Sequence, residues 1–187
     1  MSIVQTDLPI TSERVTSYLQ QLSEAYPFLE PELLARTAFD RPIWAATIGQ
    51  GPRRVLYSAA HHANEWLTAA VLLKFIEDYA RALQDDAEIG GIRARQLYQD
   101  TAVSLVPLVN PDGVDLVTGA VSEQEREQAR LLSEFYPNIP FPQGWKANLK
   151  GVDLNLQYPA GWLRAREIKF SQGYTRPAPG IMWAGRP

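Results

Sequence analysis

Two histidines stand side by side in this chain, and a carboxylate follows three residues after the second, in His61-His62-Ala63-Asn64-Glu65-Trp66. A histidine in a loop and a carboxylate in the first turn of the next helix can converge on one metal ion. Neutral imidazole nitrogen and carboxylate oxygen both suit zinc, with bonds of about 2.0–2.2 Å. The chain has no cysteine, which removes thiolate nucleophiles, disulfides and cysteine metal sites together, so imidazole and carboxylate must hold any metal. The competing reading is structural: the helix dipole favours Glu in a first turn, and a loop histidine often serves only as a hydrogen-bonding group. His61 is a poor third ligand, because adjacent residues of an extended segment point their side chains apart. A hydrogen-bonded role beside the site suits it better. No histidine follows Glu65.

The elements that must position these residues are legible in outline. Thr11 and Ser12 stand before Val15, Tyr18, Leu19 and Leu22, an apolar spacing that predicts a capped first helix. Pro31 opens a short second helical stretch through Leu33 and Leu34, and Asp40-Arg41-Pro42 turns the chain into an extended run from Ile43 to Ile48. After the Gly51-Pro52 turn, Val55 to Ala60 is a short, nearly continuous apolar run of the kind buried on both faces of a sheet, which predicts a central strand. Asn64 is the expected cap of a helix reaching about Leu83, with Leu67, Val71, Phe75 and Ile76 on its buried face. A polar helix from about Glu88 to Tyr98 precedes a second buried strand, Ala102 to Val109, which the Asn110-Pro111-Asp112-Gly113 turn ends. Strands alternating with helices predict an α/β layered domain with a parallel or mixed sheet, whose ligands gather beyond the carboxyl ends of the strands. From Phe135 onward prolines break up any long regular element, and a loop-rich half is expected there.

Composition narrows the partners. With 187 residues, 45% of them apolar and 21% charged, one globular domain is the default. The net charge of −3 and scattered Lys and Arg exclude a basic surface for nucleic acid or anionic membrane. The first residues lack the pattern of a signal peptide, and no apolar run reaches the length of a membrane span, so a cytoplasmic protein is expected. The oligomeric state is left open.

Three further segments follow the His-x-x-Glu pair in order: Asn110-Pro111-Asp112-Gly113, Trp145-Lys146-Ala147-Asn148 and Gly151-Val152-Asp153-Leu154-Asn155. Together the four resemble the zinc metallocarboxypeptidase family, whose first metal motif lies at a strand-to-helix junction. The stretch from Trp145 to Trp162, with Lys169-Phe170-Ser171-Gln172-Gly173, looks most like the bacterial branch that cleaves γ-D-glutamyl-diamino acid bonds of cell-wall peptides. The resemblance implies a three-layer α/β/α fold with a mixed sheet. It also implies one zinc ion on His62 and Glu65, a peptide substrate, and amide hydrolysis by metal-activated water. Lys146 stands where relatives often carry an Arg that polarises the scissile carbonyl, and Asn155 would hydrogen-bond substrate, so both are candidate substrate-binding residues. Their bland readings are a surface lysine and a turn residue. Asp112 and Asp153 read as turn formers.

Two departures from the family stand out. Leu156 replaces the Arg that grips a free C-terminal carboxylate, which disfavours exopeptidase action and agrees with the endopeptidase branch. The family's third zinc ligand, a His, and its general-base Glu come from segments beyond the last matching motif. Neither is located here, and Gly180 to Pro187 no longer reads like the family. A single incomplete domain over residues 1–187, truncated or frameshifted, is therefore expected, with zinc weakly held by two ligands. Two alternatives stay open: an inactive relative that binds peptide without cleaving it, and a zinc-dependent acylamino-acid deacylase.

Overall fold

A computed structural model describes residues 2–176. The chain divides into two compact units, one comprising Met1–Ala59 and Leu67–Val109, the other Ala60–Trp66 and the chain from Asn110 onward. The stretch from Gly180 to Pro187 discussed above, with Pro177, Pro179 and Trp183, lies outside the described residues.

In the first unit the hydroxyl of Thr11 accepts the Arg14 N–H and starts helix α1, Ser12–Ala25, whose Val15, Tyr18, Leu19 and Leu22 are buried as their spacing predicts. The stretch after it is not helical. Glu30–Arg36 forms strand β1, antiparallel to β2, Pro42–Ile48, from Glu30 opposite Thr47 to Arg36 opposite Pro42, with a one-residue register shift between Leu33 and Ala35. Pro31 suits a sheet edge, where a missing N–H costs no ladder bond, and Leu33 and Leu34 are 42% and 49% exposed. Their apolar spacing therefore marks an edge strand and not a buried helix face.

Among the described residues the sheet has four strands in the order β1-β2-β6-β3, with β3 spanning Arg53–Ser58 and β6 spanning Thr101–Val106. Strand β6 runs antiparallel to β2 and parallel to β3, so the sheet is mixed. Hydrogen-bonded on both sides, β6 buries Thr101, Ala102, Val103, Leu105 and Val106. Among the described residues β3 pairs with β6 alone and leaves Leu56 67% and Tyr57 52% exposed, so it lies at the edge of this sheet where a central strand is expected. An apolar run on both faces describes side chains. It does not by itself supply a second neighbour for the backbone.

Helix α2, Leu67–Gln84, buries Ala69, Ala70, Leu73, Ile76, Tyr79 and Ala80. Each of its large apolar side chains contributes about 1.5–3 kcal/mol on burial. The predicted face is off by part of a turn, since Leu67 and Val71 are exposed. Glu77 is buried on the same helix, and its carboxylate accepts hydrogen bonds from the N–H groups of Ile3 and Val4, the Ser2 hydroxyl and the Lys74 ammonium. The expected polar helix from Glu88 is replaced by a hairpin, β4 (Glu88–Ile89) and β5 (Ile92–Arg93), and the shorter helix α3, Ala94–Asp100. Gly90 and Gly91 between them adopt φ of 57° and 78°, values open to glycine that turn the chain too tightly for a helix. Helix α1 packs on β1 and β2, and α2 and α3 on β6, giving the expected combination of helices on a mixed sheet.

The second unit is built from helices α4 (Pro111–Thr118), α5 (Glu123–Ser133) and α6 (Trp162–Ser171), short 3₁₀ turns, and the loops between them. Asn110-Pro111-Asp112-Gly113 opens a helix instead of forming a free turn. Asn110 caps it, Pro111 takes the first position, where no N–H is needed, and Gly119 ends it at φ 84°. Ser122 and Glu125 form a reciprocal capping box on α5. In the loop that follows, Trp145 is fully buried with its indole N–H on the Asn148 carbonyl. No helix among the described residues is long and apolar enough to cross a membrane.

Candidate metal centre

Every group of the candidate site belongs to the second unit. Its frame is made of backbone bonds between two distant segments. The Ala63 N–H donates to the Lys146 carbonyl at 3.1 Å, and the Asn64 N–H to the Trp145 carbonyl at 3.0 Å. Asn110, 1% exposed, ties them further. Its side-chain N–H₂ donates to the carbonyls of His61 and Ala147, both at 3.1 Å, while its Oδ1 accepts the Gly113 N–H at 3.0 Å. Gly113 allows the close approach, because a Cβ there would run into the Ala147 carbonyl and come within 2.8 Å of the Ala63 Cβ.

On this frame His62 precedes a single 3₁₀ turn, Ala63–Glu65. Residues three apart eclipse in such a turn, which brings the two side chains to one side. Nδ1 of His62 lies 3.2 Å from Oε1 of Glu65. Asn64 is not the helix cap expected of it; it sits inside the turn and its side-chain N–H₂ donates to the Gln143 carbonyl at 3.4 Å.

The other ring nitrogen of His62, Nε2, faces Oδ1 of Asp153 at 3.4 Å. Asp153 is buried, and its Oδ1 also accepts the Asn155 N–H at 3.0 Å. Among the described residues His62 Nε2 and Asp153 Oδ2 are both buried without a hydrogen-bond partner, so the approach of Nε2 to Oδ1 is a charge contact. Burial pushes the Asp153 carboxyl above its ordinary pKa, against the opposing pull of His62 and the Asn155 N–H. Asp153 does cap a turn, as read from the sequence, but its contact with His62 went unread. An Asp set between Val152 and Leu154 was the available signal, since a carboxylate in apolar company needs a partner.

Lys146 comes to the same place. Its ammonium donates to Glu65 Oε1 at 2.8 Å. Burial works to raise the Glu65 carboxyl, but the hydrogen bond from Lys146 and the charge of His62 outweigh it and hold the pKa below its usual value. His61 turns elsewhere, with Nε2 on the Tyr158 hydroxyl at 2.7 Å, and burial followed by the charge of His62 pushes its pKa down. Asn155 lies exposed on the 3₁₀ turn Leu154–Leu156 beside Asp153. The structure thus gathers His62, Glu65 and Lys146, adds Asp153 behind His62, and leaves the Asn155 side chain in solvent.

The donor set can be tested against zinc. Two ligands bonded at about 2.0 Å to a tetrahedral ion stand roughly 3.3 Å apart, and Nδ1 and Oε1 are 3.2 Å apart. The pair fits as two corners of such a site. Asp153 cannot supply a third, because it faces the opposite nitrogen of the ring. Among the described residues no group of three or more His, Asp or Glu side chains could hold a metal ion.

The family described as zinc carboxypeptidase matches residues 15–182. A γ-D-glutamyl-L-diamino acid endopeptidase of Lysinibacillus sphaericus is 38% identical over 161 residues, 86% of this chain and 39% of the relative. The uncharacterized protein YqgT of Bacillus subtilis (strain 168) is 37% identical over 171 residues, 89% of this chain and 45% of the relative. The chain therefore spans less than half the length of these relatives. In fold it resembles bovine thrombin-activatable fibrinolysis inhibitor solved with tick carboxypeptidase inhibitor, with a TM-score of 0.54 at 15% identity over 76% of this chain and 38% of the other. The chain belongs to the zinc carboxypeptidase family.

Proposed function

We propose that this chain carries part of a zinc-dependent peptidase site in which His62 and Glu65 hold one zinc ion while Lys146 and Asn155 meet a peptide. The observation that carries this reading is the pairing of His62 Nδ1 with Glu65 Oε1 at 3.2 Å while Nε2 faces a buried carboxylate. Asp153 draws the imidazole proton to Nε2 and leaves the Nδ1 lone pair for a cation, the usual way an outer carboxylate fixes a ligand histidine. A bound zinc ion supplies Lewis acidity, polarising a carbonyl and making water a nucleophile near neutral pH. Lys146 adds a positive charge on the Glu65 side, suited to an amide oxygen as negative charge builds on it. Asn155, exposed on the turn that Asp153 caps, offers an amide to the substrate backbone.

The favoured substrate is an amide of the γ-D-glutamyl-diamino acid type found in cell-wall peptides. Its support is the likeness to the Lysinibacillus endopeptidase and Leu156, which cannot grip a terminal carboxylate as an Arg fork does. A second reading has its own observation. Two metal donors with no third among the described residues favour a relative that binds peptide and does not cut it.

The test compares zinc-loaded protein on γ-D-glutamyl-diaminopimelyl peptides and on N-acyl amino acids. Cleavage of the first alone, abolished by Glu65→Gln, is the expected result. Cleavage only of N-acyl amino acids makes the chain a deacylase. Peptide binding by calorimetry without turnover selects the non-cleaving reading.

A further inference from the structure

We propose that Lys146 guards the metal position: its ammonium holds the Glu65 oxygen that faces His62 and gives up that oxygen when a cation is taken up. The inference rests on the zinc reading above and names how that same site is regulated. One oxygen, Glu65 Oε1, serves two neighbours, His62 Nδ1 at 3.2 Å and Lys146 Nζ at 2.8 Å. A cation held by Nδ1 and Oε1 therefore requires the oxygen that the ammonium already uses. The two positive charges would also lie close enough to repel one another even through water.

The position of Lys146 is built. Its carbonyl accepts the Ala63 N–H, and the carbonyls on either side of it accept the Asn64 N–H and the Asn110 side chain. The root of the side chain is thus fixed beside the very turn that carries Glu65, while the four-carbon stem leaves the charge free to swing. Side-chain exposures of 28% for Lys146 and 47% for Glu65 leave the pair open on one side, so the ammonium has somewhere to go. An ammonium is a compact charge with rotatable donors and can vacate a carboxylate more readily than a bidentate guanidinium. Metal loading then has two results at once. It completes the His62–Glu65 pair, and it releases a cation toward the open side where substrate would arrive.

The experiment uses the full chain. Zinc affinity is measured by competition with a chromophoric chelator for the wild type, for Lys146→Met, and for Lys150→Met as a control that removes the same charge from an exposed neighbour. In parallel, acylation of Lys146 by an amine-reactive reagent is followed by mass spectrometry with and without zinc. The inference expects Lys146→Met to bind zinc about three- to tenfold more tightly, the range of a partly exposed ion pair plus like-charge repulsion. It also expects Lys150→Met to match the wild type, and Lys146 of the wild type to acylate faster once zinc is added. Zinc bound by Lys146→Met but not by the wild type would support it further. Equal zinc affinity in wild type and Lys146→Met overturns the inference and leaves the metal reading standing. No zinc in either overturns both. If Lys146→Met fails to fold, acylation of the wild type decides, and a rate unchanged or slowed by zinc overturns the proposal.

Discussion

Replacing Asn110 with alanine removes one side chain that holds three things. Its Oδ1 caps α4 through the Gly113 N–H, and its amide donates to the carbonyls of His61 and Ala147. Loss of a cap of this type costs about 1 kcal/mol, and two carbonyls left unpaired at a site 1% exposed cost about 1 kcal/mol each. The expected loss is therefore about 3 kcal/mol, which in a chain of this size lowers the melting temperature by roughly 6–12 °C. Asn110→Ser separates the parts, because its hydroxyl keeps the cap while the long reach to His61 and Ala147 is gone. It should fall between wild type and alanine, about 1 kcal/mol better than the latter. Urea unfolding followed by tryptophan fluorescence measures both, with Trp145 reporting the unit concerned, since the two units need not unfold together. If Asn110→Ala costs less than about 1 kcal/mol, the amide is not what joins the two segments and the framing argument is wrong.

Further expectations follow from single contacts. Asp153→Asn keeps a polar group near His62 but removes the charge that orients it, so zinc affinity measured by chelator competition should weaken roughly 10- to 100-fold, and an unchanged affinity would leave Asp153 as a turn cap only. Burial works to raise the Glu77 carboxyl, but the N–H of Ile3, the Ser2 hydroxyl, the Lys74 ammonium and the N–H of Val4 outweigh it and lower its pKa. A lowered folded-state value means stability that is present above the unfolded carboxylate pKa and lost as pH falls through the folded one. Melting curves should therefore show an acid-side loss that Glu77→Gln reduces, at a cost of about 3 kcal/mol near neutral pH. Leu56→Lys, on the edge of β3 that pairs with no strand among the described residues, should reduce self-association in light scattering without lowering the melting temperature by more than a few degrees; equal association would mean that this edge is not sticky.

Local signals carried well from sequence to structure where one residue type dictated one geometry. Thr11 before a helical apolar spacing gave α1, and the apolar run after Tyr98 gave a strand buried on both faces. Errors arose where the outcome depended on what lay alongside. Leu33 and Leu34 read as a helix because spacing over a few residues does not distinguish a helix face from an edge strand, and pairing with β2 decided the matter. For β3 the same ambiguity ran the other way: its side chains read as central, while among the described residues the sheet supplies a single neighbour.

At the site, His62 and Glu65 were legible because a three-residue separation across a turn fixes their side-chain directions. The contacts of Lys146 and Asp153 were not, since they join residues more than eighty positions apart and depend on the Asn110 frame. The resemblance of four ordered motifs supplied what spacing alone lacked, and the family match over residues 15–182 agrees with it.

The most direct test is the zinc content and affinity of the purified chain beside its His62→Ala and Glu65→Gln variants. The account predicts about one zinc ion per wild-type chain and affinity at least ~100-fold weaker in each variant, in keeping with the loss of one of few ligands. Zinc bound equally well by all three proteins, or by none of them, would contradict it.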